Sequence, residues 1–453
     1  MSDSNIALIF TAVAALVSAA MWIDYFRRID VFEREKILPL SFALLIGCFT
    51  PSVCLFFYAL IHKMGFSENG EFINDILYAV FAVGLNEEFS KILGVIVVLT
   101  IFKKKIDEPI DILIYAGITA IGFAMVENFK YFSLYGIKII SARTFYSALE
   151  HIINTTLIVY GFYRSSLFGK GTIFVNVIVA SAIAIASHGL FDFFLMDNKY
   201  GQVTAFFSLI IYLIGINFWV QMLNNANNYS TFFDYSKIHY TDKIFMRLLF
   251  WYALTVVISF TNNMIVSDLR TAVINFCFAL LSDGFLFWVV MLRVSRFKIY
   301  RKKYFEVKIQ LPFYITKNGD EDFRIPYLKI PIKVRGENYH EHIPTKYIDK
   351  AILLCPVNPK SSYLKTPVDA VITDKHLLFD DVVVYLAKLK ENDTDEKRLF
   401  LLKPKTRGRT EVNGQFPVEG LYKLDKFENE IIDLSKVDFK KLQLLEWVYL
   451  KVN

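Results

Sequence analysis

The stretch Phe81-Ala82-Val83-Gly84-Leu85-Asn86-Glu87-Glu88-Phe89-Ser90-Lys91-Ile92-Leu93-Gly94-Val95 decides how this chain is read. It lies inside an apolar run from residue 73 to 102. At about 1.5 Å per helical residue, that run is long enough to cross about 30 Å of hydrocarbon. A charge at the bilayer centre costs about 2.5–3.5 kcal/mol on insertion scales, so such residues persist where they face a polar interior and do something. Adjacent carboxylates point about 100° apart around a helix, and one partner does not readily cover both.

The rest of the chain supports the membrane reading. Of 453 residues, 55% are hydrophobic and 21% charged, with a mean hydropathy of +0.39. A soluble domain is less apolar and more charged. The charge is uneven: residues 1–300 hold 22 Lys/Arg and 21 Asp/Glu, and the remaining 153 hold 28 and 23. Nine spans are predicted, at 5–23, 37–62, 73–102, 110–134, 144–164, 172–195, 201–222, 246–267 and 270–292. Lys/Arg concentrate in alternate loops: Arg27, Arg28, Arg34 and Lys36; Lys103 to Lys105; Arg164 and Lys170; and Arg293 to Lys303. The positive-inside bias then places the N-terminus outside and the C-terminal part in the cytoplasm. The expected fold is an all-α polytopic membrane domain of about nine transmembrane helices, followed by a β-rich cytoplasmic domain. The first run lacks a basic n-region and reads as an uncleaved span. The net charge of +6 is dispersed and no recognition motif accompanies it, so nucleic acid is not an expected partner. Cys48, Cys54, Cys277 and Cys355 lack metal-knuckle spacing and read as reduced thiols.

Four consecutive spans carry ionisable residues at similar depth. Glu127, His151 and His188 each lie seven residues from the outer end of their spans, about 10 Å down. Glu87 and Glu88 lie about 15–20 Å down. Three carboxylates and two imidazoles thus converge from spacing alone. Glu87 and Lys91 are i,i+4 and share a face, as do His188 and Asp192. Asp192 is placed to orient His188. Lys91 reads as a structural partner of Glu87 or as snorkelling toward the inner face. Lys130 is the nearest partner for Glu127. Glu150 reads as a partner of Arg143 or Ser147. Asp283 is either a packing residue or a sign that span nine is broken.

A hydrolase built on such a cluster needs an activated water and an oxyanion stabiliser. A site of two imidazoles and a carboxylate holds zinc, with a second carboxylate as base. No His-Glu-x-x-His helix is present. The assignment is that Glu87 or Glu88 activates water. His151, His188 and Glu127 bind a divalent metal, zinc, or the oxyanion. A proton-coupled transporter or a non-catalytic membrane sensor would use the same residue types. No inverted repeat is visible in favour of the carrier.

Four stretches resemble the PrsW-type intramembrane proteases, which are related to CAAX-processing and bacteriocin-processing membrane proteases. They are Asp24 to Glu35, Glu87-Glu88-x-x-Lys91, Phe123-x-x-x-Glu127-Asn128 and His188-x-x-x-Asp192. The resemblance covers roughly residues 1–222. It implies a protease core there, with Asn128 beside the catalytic set. It also implies endopeptidase action on a single-pass or otherwise membrane-anchored protein, such as an anti-sigma factor, among the lipids of a bacterial plasma membrane. Residues 223–300 are a cytoplasmic loop and two further spans outside the resemblance. Residues 301–453 alternate with period two at Phe305–Leu311 and Tyr327–Val334, with turn signals at Asn318-Gly319-Asp320 and Asn413-Gly414 and a short helix near 346–352. His340 and His342 flank Glu341 on a strand-like alternation rather than in a metal motif. The tail's expected role is to bind an unknown cytoplasmic ligand or protein and to regulate.

Overall fold

The computed structural model describes residues 3–196, 202–233, 242–306, 348–349, 351–357, 363–364, 366–377, 383–390, 397–404, 419–427 and 441–451. By their contacts these form a helical unit and a strand-rich unit.

The helical unit contains α1 (Asp3–Ile29), α2 (Ile37–Lys63), α3 (Phe72–Leu77), α4 (Leu85–Ile101), α5 (Pro109–Tyr135), α6 (Ile140–Ala142), α7 (Ala148–Phe168), α8 (Ile173–Met196), α9 (Gln202–Asn228), α10 (Asp242–Val266), α11 (Leu269–Phe278) and α12 (Gly284–Val294). Among the described residues, seven helical stretches are long and apolar enough to cross a membrane: 8–29, 37–63, 109–135, 173–195, 205–228, 243–266 and 269–294. The spans expected at 73–102 and 144–164 are helical but are not among these seven. Each carries buried charge; a π-helical turn divides the first at Tyr78–Gly84, and another, Arg143–Ser147, opens the second. A third π turn, Ala279–Asp283, interrupts the last span, and Asp283 ends it. π turns insert one extra residue and frequently sit at functional sites.

α5 is the centre of the unit. Every residue from Pro109 to Ala124 is buried, and the helix packs against α1, α2, α4 and α7. Trp22, Tyr25 and Phe26 of α1 surround Trp219 of α9, with Tyr25 stacked on Trp219 at 5.5 Å. Trp22 Nε1 donates to the Thr144 carbonyl at 2.8 Å, inside the second π turn. Tyr25 Oη donates to the Val294 carbonyl at 2.8 Å. The aromatic cluster therefore ties α1 to the turn that carries Arg143.

α8 crosses the first π turn through two glycines. A Cβ on Gly84 would lie 2.6 Å from the Ile185 carbonyl oxygen, and one on Gly189 would lie 2.5 Å from Val80 Cα. Only the absence of side chains lets the backbones approach this closely, and the approach puts His188 beside the glutamates. Gly189→Ala is expected to overpack this crossing at a cost of about 1–3 kcal/mol. Thermal unfolding in detergent should show a fall of several degrees, and an unchanged midpoint would contradict the crossing.

At one end of the bundle, Asp30 and Glu35 follow α1, and Glu108 caps α5. Burial, with neighbouring carboxylates adding to it, pushes Asp30 up to about 8 and Glu108 up to about 7. The neutral forms are favoured, so the stability each contributes is present in acid and lost as pH rises through those values.

The strand-rich unit contains β1 (Ala351–Pro356), β2 (Val368–Leu377), β3 (Val383–Lys390), β4 (Lys397–Pro404), β5 (Glu419–Phe427) and β6 (Leu444–Lys451). All pairings are antiparallel in sequential order, and β6 closes on β1 into a barrel. Ile352, Leu354, Val384, Leu401, Leu421, Val448 and Leu450 are buried in it. The β-rich expectation holds for these strands. The helix expected near 346–352 is instead a turn at Ile348-Asp349 followed by β1, because Ile352 and Leu354 serve the barrel interior with period two. The alternation at 307–311 and 327–334, both turn signals, and His340 and His342 lie outside the described residues. Phe305 is described and is not in a strand: its N–H and C=O pair with the Asn225 amide at 2.6 and 2.8 Å.

Candidate active site

Four elements deliver the site. Glu87, Glu88 and Lys91 come from the start of α4, Glu127 and Asn128 from α5, His151 from the first turn of α7, and His188 and Asp192 from α8. The helix carrying His151 and the one carrying the glutamates each begin with a π turn, so the altered winding immediately precedes the charged residues.

Lys91 is fully buried at the centre. Its Nζ lies 2.6 Å from Glu88 Oε1, 2.8 Å from His151 Nδ1, 3.9 Å from Glu87 Oε2, and 4.6 Å from the centre of the Phe123 ring. It does not snorkel, and its close partner is Glu88 at i−3 rather than Glu87 at i−4. Because an ammonium has only donors, His151 Nδ1 accepts and Nε2 carries the proton. That Nε2–H donates to Glu127 Oε2 at 2.9 Å.

Glu88 is saturated. Oε1 takes Lys91 and, at 2.7 Å, His188 Nδ1, and Oε2 takes the Thr155 hydroxyl at 2.8 Å. Glu87 differs. Oε1 receives only a long contact from Tyr58 at 3.5 Å, and Oε2 is buried without a hydrogen bond. It stands 3.3 Å from His188 Nε2, which is also buried and unbonded. The imidazoles of His151 and His188 meet edge to face at 5.1 Å.

Behind His151 lies a second layer. Arg143 Nη2 donates to Glu127 Oε2 at 2.5 Å, and its Nε donates to Asn128 Oδ1 at 2.9 Å. Asn128 Nδ2 in turn donates to Ser18 on α1 at 3.1 Å. Tyr131 covers the guanidinium at 4.1 Å.

The comparisons with known proteins fall on the same half of the chain. Residues 35–219 match the model of the PrsW family intramembrane metalloproteases. Protease PrsW of Clostridioides difficile (strain 630) is 29% identical over 218 residues, covering 46% of this chain and 88% of that protein. Protease PrsW of Geobacillus kaustophilus (strain HTA426) is 26% identical over 210 residues, covering 45% and 88%. The chain resembles the PrsW-type intramembrane proteases. No solved structure matches it. The matched stretch holds all the site residues named above except Ser18, while Asp24 to Arg34 and everything after residue 219 lie outside it.

The family description implies a metal, and the PrsW-like site fits one. Glu87, His151 and His188 each offer a ligand atom, all within 4.8 Å of one another. Glu87 Oε2 and His188 Nε2 are buried polar atoms without a hydrogen bond, which is what an ion would satisfy. Two imidazoles and a carboxylate are also the donor set of open zinc sites; His188 Nε2 is free to ligate, whereas His151 Nδ1 would do so only once the Lys91 ammonium, 2.8 Å away, moves off it. The carboxylate in this group is Glu87, whereas the sequence points to Glu127. Glu127 is engaged by Arg143 and by His151 Nε2, and it backs the imidazole.

Other pairings also differ from expectation. Arg143, and not Lys130, is the partner of Glu127, and Lys130 is exposed. Glu150 bonds neither Arg143 nor Ser147. It accepts from Asn154 and lies 3.8 Å from His151 Nδ1. Asp192 is 3.5 Å from His188 Nε2, farther than either glutamate is from the ring, so Glu88 is the stronger orienting group. The sequence reading does not single out Thr155 or Tyr58. Thr155 lies one turn beyond His151, and that i+4 spacing is the one available signal.

Proposed function

We propose that the PrsW-like half is an intramembrane endopeptidase that hydrolyses a peptide bond of a membrane-anchored protein. The observation that carries this is the unbonded Glu87 oxygen buried beside His188, within a polar cluster enclosed by apolar helices. Glu87, His151 and His188 would hold a divalent metal, zinc. When bound, such an ion lowers the pKa of a water and stabilises oxyanion charge. Glu87 is either the third ligand or the base that takes the proton of the attacking water. Both assignments require an ionised oxygen free of protein donors. Glu88 fixes the His188 ring and holds Lys91. Glu127, locked by Arg143, fixes the His151 tautomer. Asn128 anchors Arg143. Asp192, half-buried, lies 3.5 Å from His188 Nε2.

The Lys/Arg-rich loops support an N-terminus outside a bacterial plasma membrane. The strand-rich unit would then be cytoplasmic, where a ligand or protein bound to it would control the protease. Proteolysis is tested by co-expressing the full chain with a bacterial membrane proteome and labelling new protein N-termini. Wild type is expected to generate N-termini within or beside apolar segments, and a set identical to that of His188→Ala would overturn the reading. Metal is tested separately. One zinc per purified chain is expected, lost in His151→Ala/His188→Ala, and a folded wild type without metal would leave a glutamate-only hydrolase.

A further inference from the structure

A second group of carboxylates lies far from this site. Asp111 of α5 is 16 residues before Glu127 on the same helix, about 24 Å away along its axis. Asp30, Glu108 and Asp111 each offer an oxygen within 4.8 Å of the others, and all are buried, with exposures of 0%, 3% and 0%. Hydrogen bonds account for one oxygen of each. Asp111 Oδ2 accepts from the Asp107 and Glu108 N–H groups at 3.1 and 3.0 Å, and Asp30 Oδ2 accepts from the Glu35 N–H at 2.6 Å. Glu108 Oε2 accepts from the Ser230 hydroxyl just beyond α9.

The other oxygen of each is unexplained. Asp30 Oδ1, Glu108 Oε1 and Asp111 Oδ1 are buried without a hydrogen bond, and the neighbouring Glu35 carboxylate faces the Tyr115 hydroxyl. Among the described residues, no Lys, Arg or His forms an ion pair with any of these four acids. A buried carboxylate without a donor or counter-charge is costly, and here several are gathered. We propose that Asp30, Glu108 and Asp111, with Glu35, form an oxygen-only site for a hard divalent cation of the Mg2+, Mn2+ or Ca2+ class. All-oxygen donors select these ions over zinc. The ion ties the end of α1 to the start of α5, and through Ser230 to the chain following α9. It is a site separate from the histidines, with a structural role.

Mn2+ is the probe. The full chain carrying His151→Ala/His188→Ala is purified in detergent, stripped with chelator and titrated with Mn2+ under pulsed electron paramagnetic resonance. One Mn2+ per chain without nitrogen coupling is expected, together with a raised unfolding midpoint. Asp30→Asn/Asp111→Asn should abolish it. Should that variant fail to fold, Glu108→Gln alone is expected to weaken Mn2+ binding at least tenfold. Absence of bound Mn2+, a nitrogen-coupled signal, or binding unchanged by these substitutions would overturn the site and identify a cluster held by shared protons.

Discussion

Glu87→Gln should lower formation of new N-termini by about 10³-fold while the protein inserts and folds as wild type does. The size follows from removing a proton acceptor or a metal ligand, either of which contributes about 10²–10⁴-fold. The tolerance follows from geometry. Glu87 makes one long hydrogen bond, from Tyr58 at 3.5 Å, and approaches His188 Nε2 at 3.3 Å and Lys91 at 3.9 Å. Gln keeps the shape and removes a buried charge, so the unfolding midpoint should move by only a few degrees. Zinc content of the same variant separates the two roles: it falls if Glu87 is a ligand and stays at one per chain if Glu87 is the base. Cleavage within threefold of wild type in a folded variant would exclude both.

The level of the site is legible in the sequence because depth along a helix is a count of residues. Counting places Glu87, Glu88, Glu127, His151 and His188 at one level, and the structure brings them together. Which groups touch is not legible. Arg143 reads from the sequence as the last residue of a loop, yet the chain winds it into a π turn, fixed by Trp22 on α1, from which it reaches Glu127. That contact depends on a tertiary hydrogen bond 122 residues away in sequence. Periodicity also assumes regular α geometry, and the π turn before α4 shifts the phase of Glu87, Glu88 and Lys91 relative to the preceding turns. In the tail, the β-rich expectation holds for the described strands, while the alternating stretches that prompted it lie outside the described residues or, at Phe305, outside any strand. That expectation does not show that six strands close, since closure depends on the β1–β6 pairing between the two ends of the domain.

Lys91 gives the second large effect. Its ammonium is wholly buried, 2.6 Å from an equally buried Glu88. Lys91→Met leaves that carboxylate without its cation in a low-dielectric interior, and removing one member of a buried pair costs about 3–5 kcal/mol. Glu88→Gln strands the ammonium in the same way, with Glu87 only a distant substitute at 3.9 Å. Replacing both removes the problem, because Met fills the lysine's volume against Phe123 and Gln keeps the Thr155 and His188 contacts. The double variant should therefore recover most of the lost stability, with a coupling energy of about 2 kcal/mol or more in a detergent unfolding cycle. It should not recover proteolysis. Without Lys91, His151 Nδ1 loses the donor that sets its tautomer, and Glu88 no longer holds His188 as an ionised partner. A single Lys91→Met that costs under about 1 kcal/mol, or a cycle that is additive, would show that the pair is not what keeps these helices together. Stability and catalysis draw on the same ion pair here, and in the double variant they come apart.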